Sequence, residues 1–314
     1  MAETRAKAIG IATVRLANGI VDFVVLVAIL LLIAISMFAL WDSDQVYRAA
    51  SATRYTAYRP SAKVEENIPF AELQAINPEV IAWLTVYGTN IDYPVTQSDD
   101  NEKYVSTDAF GAYSASGAIF LDYMNNKNFE DFNSILYGHH MEKQAMFGAI
   151  GLFSSRTVFD DHAYGNLYLN GVNMGLQIFA FVKTDAYNSG VFTPNIQREE
   201  DRQAYLDNLM ENALYTRDVE ISTRDRIVLL STCSTDSTNE RDILVAKITN
   251  EHYSDGFSLE ETDDTPQRVS VDQQISPWEQ YPIWEWIAVI GVLLLLIVLI
   301  VKRIVKGNRT EEQR

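Results

Sequence analysis

Cysteine is almost absent from this chain: Cys233 is the only one among 314 residues. An internal disulfide is therefore excluded, and the thiol is a reactive group, an intermolecular link or a small buried apolar side chain. The residues around Cys233 have to decide between these three interpretations.

Basic residues are scarce as well. Lys and Arg total 25 against 42 Asp and Glu, which gives a formal net charge of -17. A surface of this sign repels phosphate backbones and anionic surfaces, so we expect no nucleic-acid partner. Simple solubility accounts for most of the charge.

Several common active-site patterns are missing. The sequence has no glycine loop of the Walker or dinucleotide type, no Gly-x-Ser-x-Gly elbow at Ser231, and no His-x-x-x-His or Cys-x-x-Cys spacing. His139, His140 and His162 could gather a metal ion together with acids, but we rank this interpretation well below thiol chemistry. The sequence therefore predicts no metal and no cofactor.

Charge is missing altogether from residues 23–41, a run that at about 1.5 Å per residue can cross a hydrocarbon layer of about 30 Å. A second apolar run over 286–301 extends back to 283 and follows an aromatic belt. We interpret both as transmembrane helices; a cleaved signal peptide is the alternative for the first, and a buried core helix for either. Basic residues precede the first run and follow the second, which predicts cytoplasmic termini and an extracytoplasmic domain between them.

These runs divide the chain into segments of different character. They are a cytoplasmic N-terminus (1–22), a transmembrane helix (23–41), a stalk or N-terminal helix (42–67), a folded domain (68–254), an acidic linker (255–282), a second transmembrane helix (283–301) and a basic cytoplasmic tail (302–314). The folded domain is the segment long enough to bury a core.

The pattern inside the folded domain is mainly that of strands. Short or alternating apolar runs bounded by turn residues predict strands over 81–86, 91–95, 118–121, 134–137, 167–169, 175–184, 226–232 and 243–248. Helices are predicted over 68–76 and over 198–214, where apolar residues mark one face among acids. Many short strands favour an all-β barrel or sandwich over an α/β sheet.

The predicted strand that leads to Cys233 delivers the thiol to an edge of the sheet, and the next strand begins with Arg241. A hairpin would set this guanidinium beside the thiol, where a cation lowers a thiol pKa and stabilises an oxyanion. His139 also follows an apolar strand. These are the components of a cysteine acyl-transfer site. Taken alone, Arg241 would be interpreted as an ordinary surface partner of Glu240 or Asp242, and it is the pairing with Cys233 that favours a role in the site.

The residues around these positions resemble the sortase family, and class B sortases in particular. The resemblance is carried by Leu230-Ser231-Thr232-Cys233 before the arginine-led strand, Tyr137-Gly138-His139, Ile91-Asp92-Tyr93-Pro94-Val95 and Asp99-Asp100-Asn101. The helix predicted before the cysteine strand fits the same class. The resemblance covers about residues 68–250 and implies a mainly β fold, an eight-stranded barrel with peripheral helices.

The likeness to sortases also implies a site and a reaction. It assigns the catalytic roles to Cys233, His139 and Arg241, and the substrate groove to Asn101, Tyr137 and Ser231. The enzyme would cleave a C-terminal sorting signal after Thr through a Cys thioester and pass the acyl group to an amine of a peptidoglycan precursor or a pilin lysine. Its partners would be membrane-tethered surface proteins or pilins of a Gram-positive cell, and the lipid bilayer that anchors it.

Two features depart from the class B pattern. Leu229 stands where the family usually has Thr, and a carboxy-terminal span is more usual in sortases that polymerise pilins. Two other functions remain compatible with the residues. One is a thiol peptidase or amidase that uses water as acceptor, and the other is a non-enzymatic binding module at the cell surface.

Overall fold

The computed structural model describes residues 2–60, 68–233 and 239–257. Helix α1 (Ala2–Ala50) contains the first predicted span and continues beyond it without a break; a 3₁₀ helix, Ala52–Tyr58, follows. Apolar side chains in the span are mostly exposed, as at Leu32 (65%) and Leu40 (73%). Among the described residues this is the one helix that could cross a membrane, judged by length and composition alone. The second predicted span, 283–301, lies outside the described residues.

Three further α-helices lie around the sheet: α2 (Ile68–Ile76), α3 (Arg156–Asp161) and α4 (Glu199–Glu211). The prediction of a helix over 198–214 was wrong at its carboxyl end. The chain leaves α4 at Asn212 because Ala213–Thr216 pairs with another strand and forms a strand that the helical pattern concealed.

All the strands of the described residues except Ala213–Thr216 occupy predicted regions, with shifted ends. They are β1 (Val80–Val86), β2 (Asp92–Thr96), β3 (Ile119–Leu121), β4 (Asn133–Tyr137), β5 (Tyr164–Leu169), β6 (Val172–Asp185), β7 (Ala213–Thr216), β8 (Arg226–Cys233) and β9 (Glu240–Thr249). Strand β6 is longer than predicted because it pairs along its length with three neighbours, β5, β7 and β9.

The sheet closes on itself. Its order is β5-β1-β2-β3-β4-β8-β9-β6, and β6 pairs back to β5, so eight strands form a barrel while β7 adds to β6 outside the circuit. The β2/β3 and β4/β8 pairs are parallel and the others antiparallel. The eight-stranded barrel expected from the sequence is confirmed, and closure removes the open strand edges that favour aggregation.

Strand β8 is buried on both faces, which explains its unbroken apolar run. Val228 and Leu230 pack in the barrel interior, whereas Ile227 and Leu229 pack in a second cluster between the outer surface and α4. Leu229 is fully buried there. A leucine at this position therefore fills the α4 interface, well before the strand end that carries the cysteine.

Candidate active site

The predicted nucleophile and the predicted cation are cross-strand neighbours. Strands β8 and β9 are antiparallel, and their register pairs Cys233 with Arg241 as well as Thr232 with Asp242. Directly opposite residues have Cβ atoms about 4.5–5.5 Å apart. The hairpin inferred from the sequence thus brings Arg241 to the backbone position that faces the cysteine.

The predicted imidazole reaches the same end of the barrel from the other side. Strand β4 runs parallel to β8 with Tyr137 opposite Ser231, and the Gly138 amide donates to the Ser231 carbonyl at 3.2 Å. His139 and Cys233 each lie two positions beyond this pair. Because β8 lies between β4 and β9, the backbone at Cys233 is flanked by the end of β4 that leads to His139 on one side and by Arg241 on the other.

Gly138 is required by close packing just before the histidine. A Cβ atom at this position would lie 2.6 Å from Cδ1 of Ile119 and 2.8 Å from Cδ2 of Phe147. Real contacts are never that short, so a side chain would push the strand end outward. The glycine of the Tyr137-Gly138-His139 motif therefore lets His139 leave the barrel at this point.

Main-chain atoms hold His139 on two sides. Its Nε2 atom lies 2.8 Å from the carbonyl oxygen of Val105, which ends a short 3₁₀ helix, Lys103–Val105. Its own carbonyl oxygen accepts from the Phe147 amide at 3.0 Å. The imidazole is partly exposed, so a substrate can approach it.

Two of the predicted groove residues meet on a buried carboxylate, Asp122. Its Oδ2 accepts from Nδ2 of Asn101 at 2.9 Å and from the Tyr137 hydroxyl at 3.0 Å, and its Oδ1 accepts from the Met124 amide at 2.9 Å. Burial and the neighbouring Asp122 charge raise the pKa of the Tyr137 phenol, so the hydroxyl stays protonated and donates. Asp122 was not among the residues predicted from the sequence. Its signal was a charged residue directly after the apolar strand β3.

The third predicted groove residue is placed differently. Ser231 lies opposite Tyr137 in the β4/β8 register, but only 2% of its surface is exposed. The structure therefore brings Asn101 and Tyr137 together at a partly exposed surface and keeps Ser231 inside the sheet.

Asp242, which follows Arg241 on β9, is a further buried carboxylate near the predicted site residues. Asp242 is buried, with Nζ of Lys183 3.7 Å from its Oδ1. A Cβ atom on Gly151 would lie 3.5 Å from Cε1 of His140 and 3.6 Å from Oδ2 of Asp242, so these two side chains flank Gly151. No three metal-ligating side chains converge anywhere in the part of the chain that the structure describes.

Comparison with known proteins relates this geometry to a family. No family model matches the chain. Sortase B of Listeria monocytogenes is 34% identical over 206 residues, which cover 65% of this chain and 80% of the relative. The chain belongs to the class B sortases. It is therefore a cysteine transpeptidase associated with the cell surface. This excludes the alternative of a non-enzymatic binding module.

Solved class B sortases share the fold. The sortase B from the type II pilus of Streptococcus pneumoniae is 51% identical and superimposes with a TM-score of 0.52, covering 58% of this chain and 99% of that one. A Streptococcus pyogenes class B sortase involved in pilus biogenesis is 35% identical, with a TM-score of 0.55, and the match covers 58% and 99%. These matches confirm the sortase-type barrel expected from the sequence.

Proposed function

We propose that Cys233 is the nucleophile, His139 the general acid and base, and Arg241 the cation that stabilises the oxyanion. The observations that carry this proposal are the pairing of Cys233 with Arg241 on β8 and β9 and the position of His139, two residues beyond the end of the adjacent strand β4. Cys233 is also the single cysteine of a cysteine transpeptidase. A thiolate is the nucleophilic form of cysteine, and an adjacent guanidinium favours it.

The reaction follows from these roles in two balanced steps. The Cys233 thiolate attacks the carbonyl carbon of the Thr residue in a sorting signal; the thioester bond forms, the peptide C–N bond that follows Thr breaks, and His139 gives a proton to the leaving amine. An incoming amine then attacks the thioester while His139 takes its proton, and the thiolate leaves. Arg241 faces the negative charge that develops on the carbonyl oxygen in both steps.

The acyl donor in this proposal is a membrane-tethered protein with a signal of the Leu-Pro-x-Thr-Gly or Asn-Pro-x-Thr-x kind. Asn101 and Tyr137, fixed by Asp122, contribute polar groups to its groove. Ser231 contributes through the strand that carries Cys233, because its side chain is buried. Substrate contacts at these positions belong to the proposal.

The acceptor that we propose is a pilin lysine, and the enzyme would assemble pili. The support is the 51% identity to a sortase B from a pneumococcal type II pilus and the 35% identity to a streptococcal class B sortase involved in pilus biogenesis. A peptidoglycan amine is the second candidate, and water is the acceptor in the peptidase alternative.

We also propose that the enzyme is anchored through residues 23–41 and 283–301, with both termini in the cytoplasm and the barrel outside. Flanking basic residues and the exposed apolar surface of α1 support this topology. Anchoring raises the effective concentration of substrates that share the same membrane. Reporter proteins fused after residues 60 and 314 should lie on opposite sides of the membrane. Reporters found on the same side would refute the proposed topology.

A direct test uses the full-length chain in detergent with a sorting-signal peptide and two competing amines, a pilin-lysine peptide and a triglycine peptide. Mass spectrometry should detect a thioester on the wild type and a conjugate to the lysine peptide, and neither with Cys233→Ala. Hydrolysis alone would favour the peptidase. A preference for triglycine would favour wall anchoring.

A further inference from the structure

The segment that carries the histidine is strained. Residues 139–147, which we call the histidine loop, close with a hydrogen bond from the Phe147 amide to the His139 carbonyl and with a bridge between His140 and Met146. Lys143, Gln144 and Met146 have φ angles of 57°, 61° and 51°. Such angles are disfavoured for residues other than glycine and persist only where contacts with the rest of the fold stabilise them.

One of these surroundings is the end of helix α1. The Tyr47 hydroxyl donates to Oε2 of Glu142 at 2.8 Å, and Nζ of Lys143 lies 4.3 Å from the centroid of the Tyr47 ring. Glu142 therefore binds the hydroxyl of Tyr47, and the next loop residue, Lys143, contacts the face of its ring. The contact joins positions that are 95 residues apart in the chain.

A second connection runs through the core. The hydroxyl of Tyr93, on β2, donates to the carbonyl oxygen of Ala50, the last residue of α1, at 2.9 Å. The same hydroxyl accepts from the Met146 amide at 3.0 Å. Tyr93 is 2% exposed, so its oxygen is a buried junction that both the helix and the histidine loop require.

We propose that the end of helix α1 positions His139 for catalysis, with Tyr47 and Tyr93 as the positioning residues. One contact is made at Glu142 and the other at Met146, so both ends of the strained segment are held. The same loop is closed by the hydrogen bond from the Phe147 amide to the His139 carbonyl, and fixing the loop therefore fixes the backbone of His139. The membrane-proximal helix is then a working part of the site as well as a tether. This inference rests on the proposed role of His139.

The test uses full-length enzyme in nanodiscs and follows two quantities, amide hydrogen exchange over residues 139–147 and the steady-state constants of transpeptidation. Tyr47→Ala should speed exchange at Met146 and Phe147 and lower kcat about two- to tenfold with little change in KM. Tyr47→Phe keeps the ring against Lys143 and should have an intermediate effect. Glu142→Gln keeps an acceptor oxygen but loses the charge, so it should have a smaller effect on both quantities than Tyr47→Ala.

Asp44→Asn is the matched control. It breaks an exposed ion pair with Arg48 on the same helix, one turn from Tyr47, and should leave exchange and kcat unchanged. Tyr93→Phe should reproduce the loop effect more strongly, and exchange in β8 reports whether the barrel is still folded. Unchanged exchange over 139–147 in Tyr47→Ala would overturn the proposal.

The exchange measurement needs no turnover. If the wild type forms no conjugate, or Cys233→Ala forms one, the proposed function fails while the exchange data still decide whether α1 holds the loop. If exchange rises in Tyr47→Ala but kcat does not fall, the contacts are structural and the positioning role is overturned.

Discussion

The Nε2 atom of His139 lies 2.8 Å from the carbonyl oxygen of Val105. A carbonyl oxygen only accepts hydrogen bonds, so Nε2 carries the proton in this arrangement. In the neutral ring the lone pair is then on Nδ1, which becomes the nitrogen able to take a proton.

Nitrogen NMR of the free enzyme should therefore show the Nε2–H tautomer for His139 at alkaline pH. The hydrogen bond to the Val105 carbonyl favours this tautomer, because an Nε2 atom without a proton could not donate to that oxygen. His139→Gln identifies the signal by its disappearance. A proton found on Nδ1 instead would mean that the Val105 contact does not form in solution.

Replacing Arg241 should slow the chemical step. Arg241→Ala removes the cation opposite Cys233 and should lower kcat about 10²- to 10³-fold, as the loss of an oxyanion donor does elsewhere. Arg241→Lys keeps the charge but loses the planar fork, so it should recover only part of the rate. Arg224→Lys, on an exposed turn before β8, is the control. Equal activity of Arg241→Ala and the wild type would exclude the proposed role.

Removing the Asp122 carboxylate should weaken donor binding. Asp122→Ala leaves Asn101 and Tyr137 without their shared acceptor, and hydrogen bonds to a charged group are strong, so KM for the sorting peptide should rise about tenfold or more. We expect a smaller change in kcat. Asp131→Asn alters a carboxylate in the turn before β4 that bonds Asn125 and serves as control. A fall in kcat at constant KM would place Asp122 in the chemical step instead.

Acid should loosen the segment that holds Val105. Burial raises the pKa of Glu79, but hydrogen bonds from Lys103 and Tyr104 outweigh it and keep the pKa below the usual 4.5. The stabilisation by Glu79 is therefore complete above pH 4.5 and is lost as the pH falls through the lower folded-state pKa.

Urea unfolding between about pH 6 and pH 3 tests this sign. The wild type should lose more stability on acidification than Glu79→Gln, which has no charge to lose. Glu72→Gln, exposed on α2, should follow the wild type. Identical pH profiles for Glu79→Gln and the wild type would contradict the expectation.

Adding one methyl group at Gly138 should disturb both stability and activity. Gly138→Ala places a Cβ against Ile119 and Phe147, and overpacking of this kind costs about 1–3 kcal/mol. Because His139 follows directly, kcat should fall together with the unfolding free energy. Gly256→Ala, with open space around it, should be neutral in both measurements.

The sequence predicted the parts of the site that depend on short-range pairing. Consecutive strands place Arg241 opposite Cys233, and a strand end followed by glycine marks His139. Asp122 was missed because its partners lie on a distant loop and on β4, so its position directly after β3 does not show what the carboxylate holds. The strand Ala213–Thr216 was missed since its apolar residues continue the helical period of α4, and pairing with β6 overrides that period.

Helix α1 runs without interruption from the proposed membrane segment to Tyr47. At about 1.5 Å per residue, Tyr47 stands only about 9 Å beyond Trp41 along the helix axis. The histidine loop is bonded to Tyr47, so a continuous helix, and not a flexible linker, sets its distance from residues 23–41. An extended donor chain advances about 3.5 Å per residue, so a fixed height of the site above the proposed membrane segment would correspond to a fixed number of donor residues. On the proposed anchoring, we expect the enzyme to accept donors by the spacing between their cleavage point and their own membrane segment.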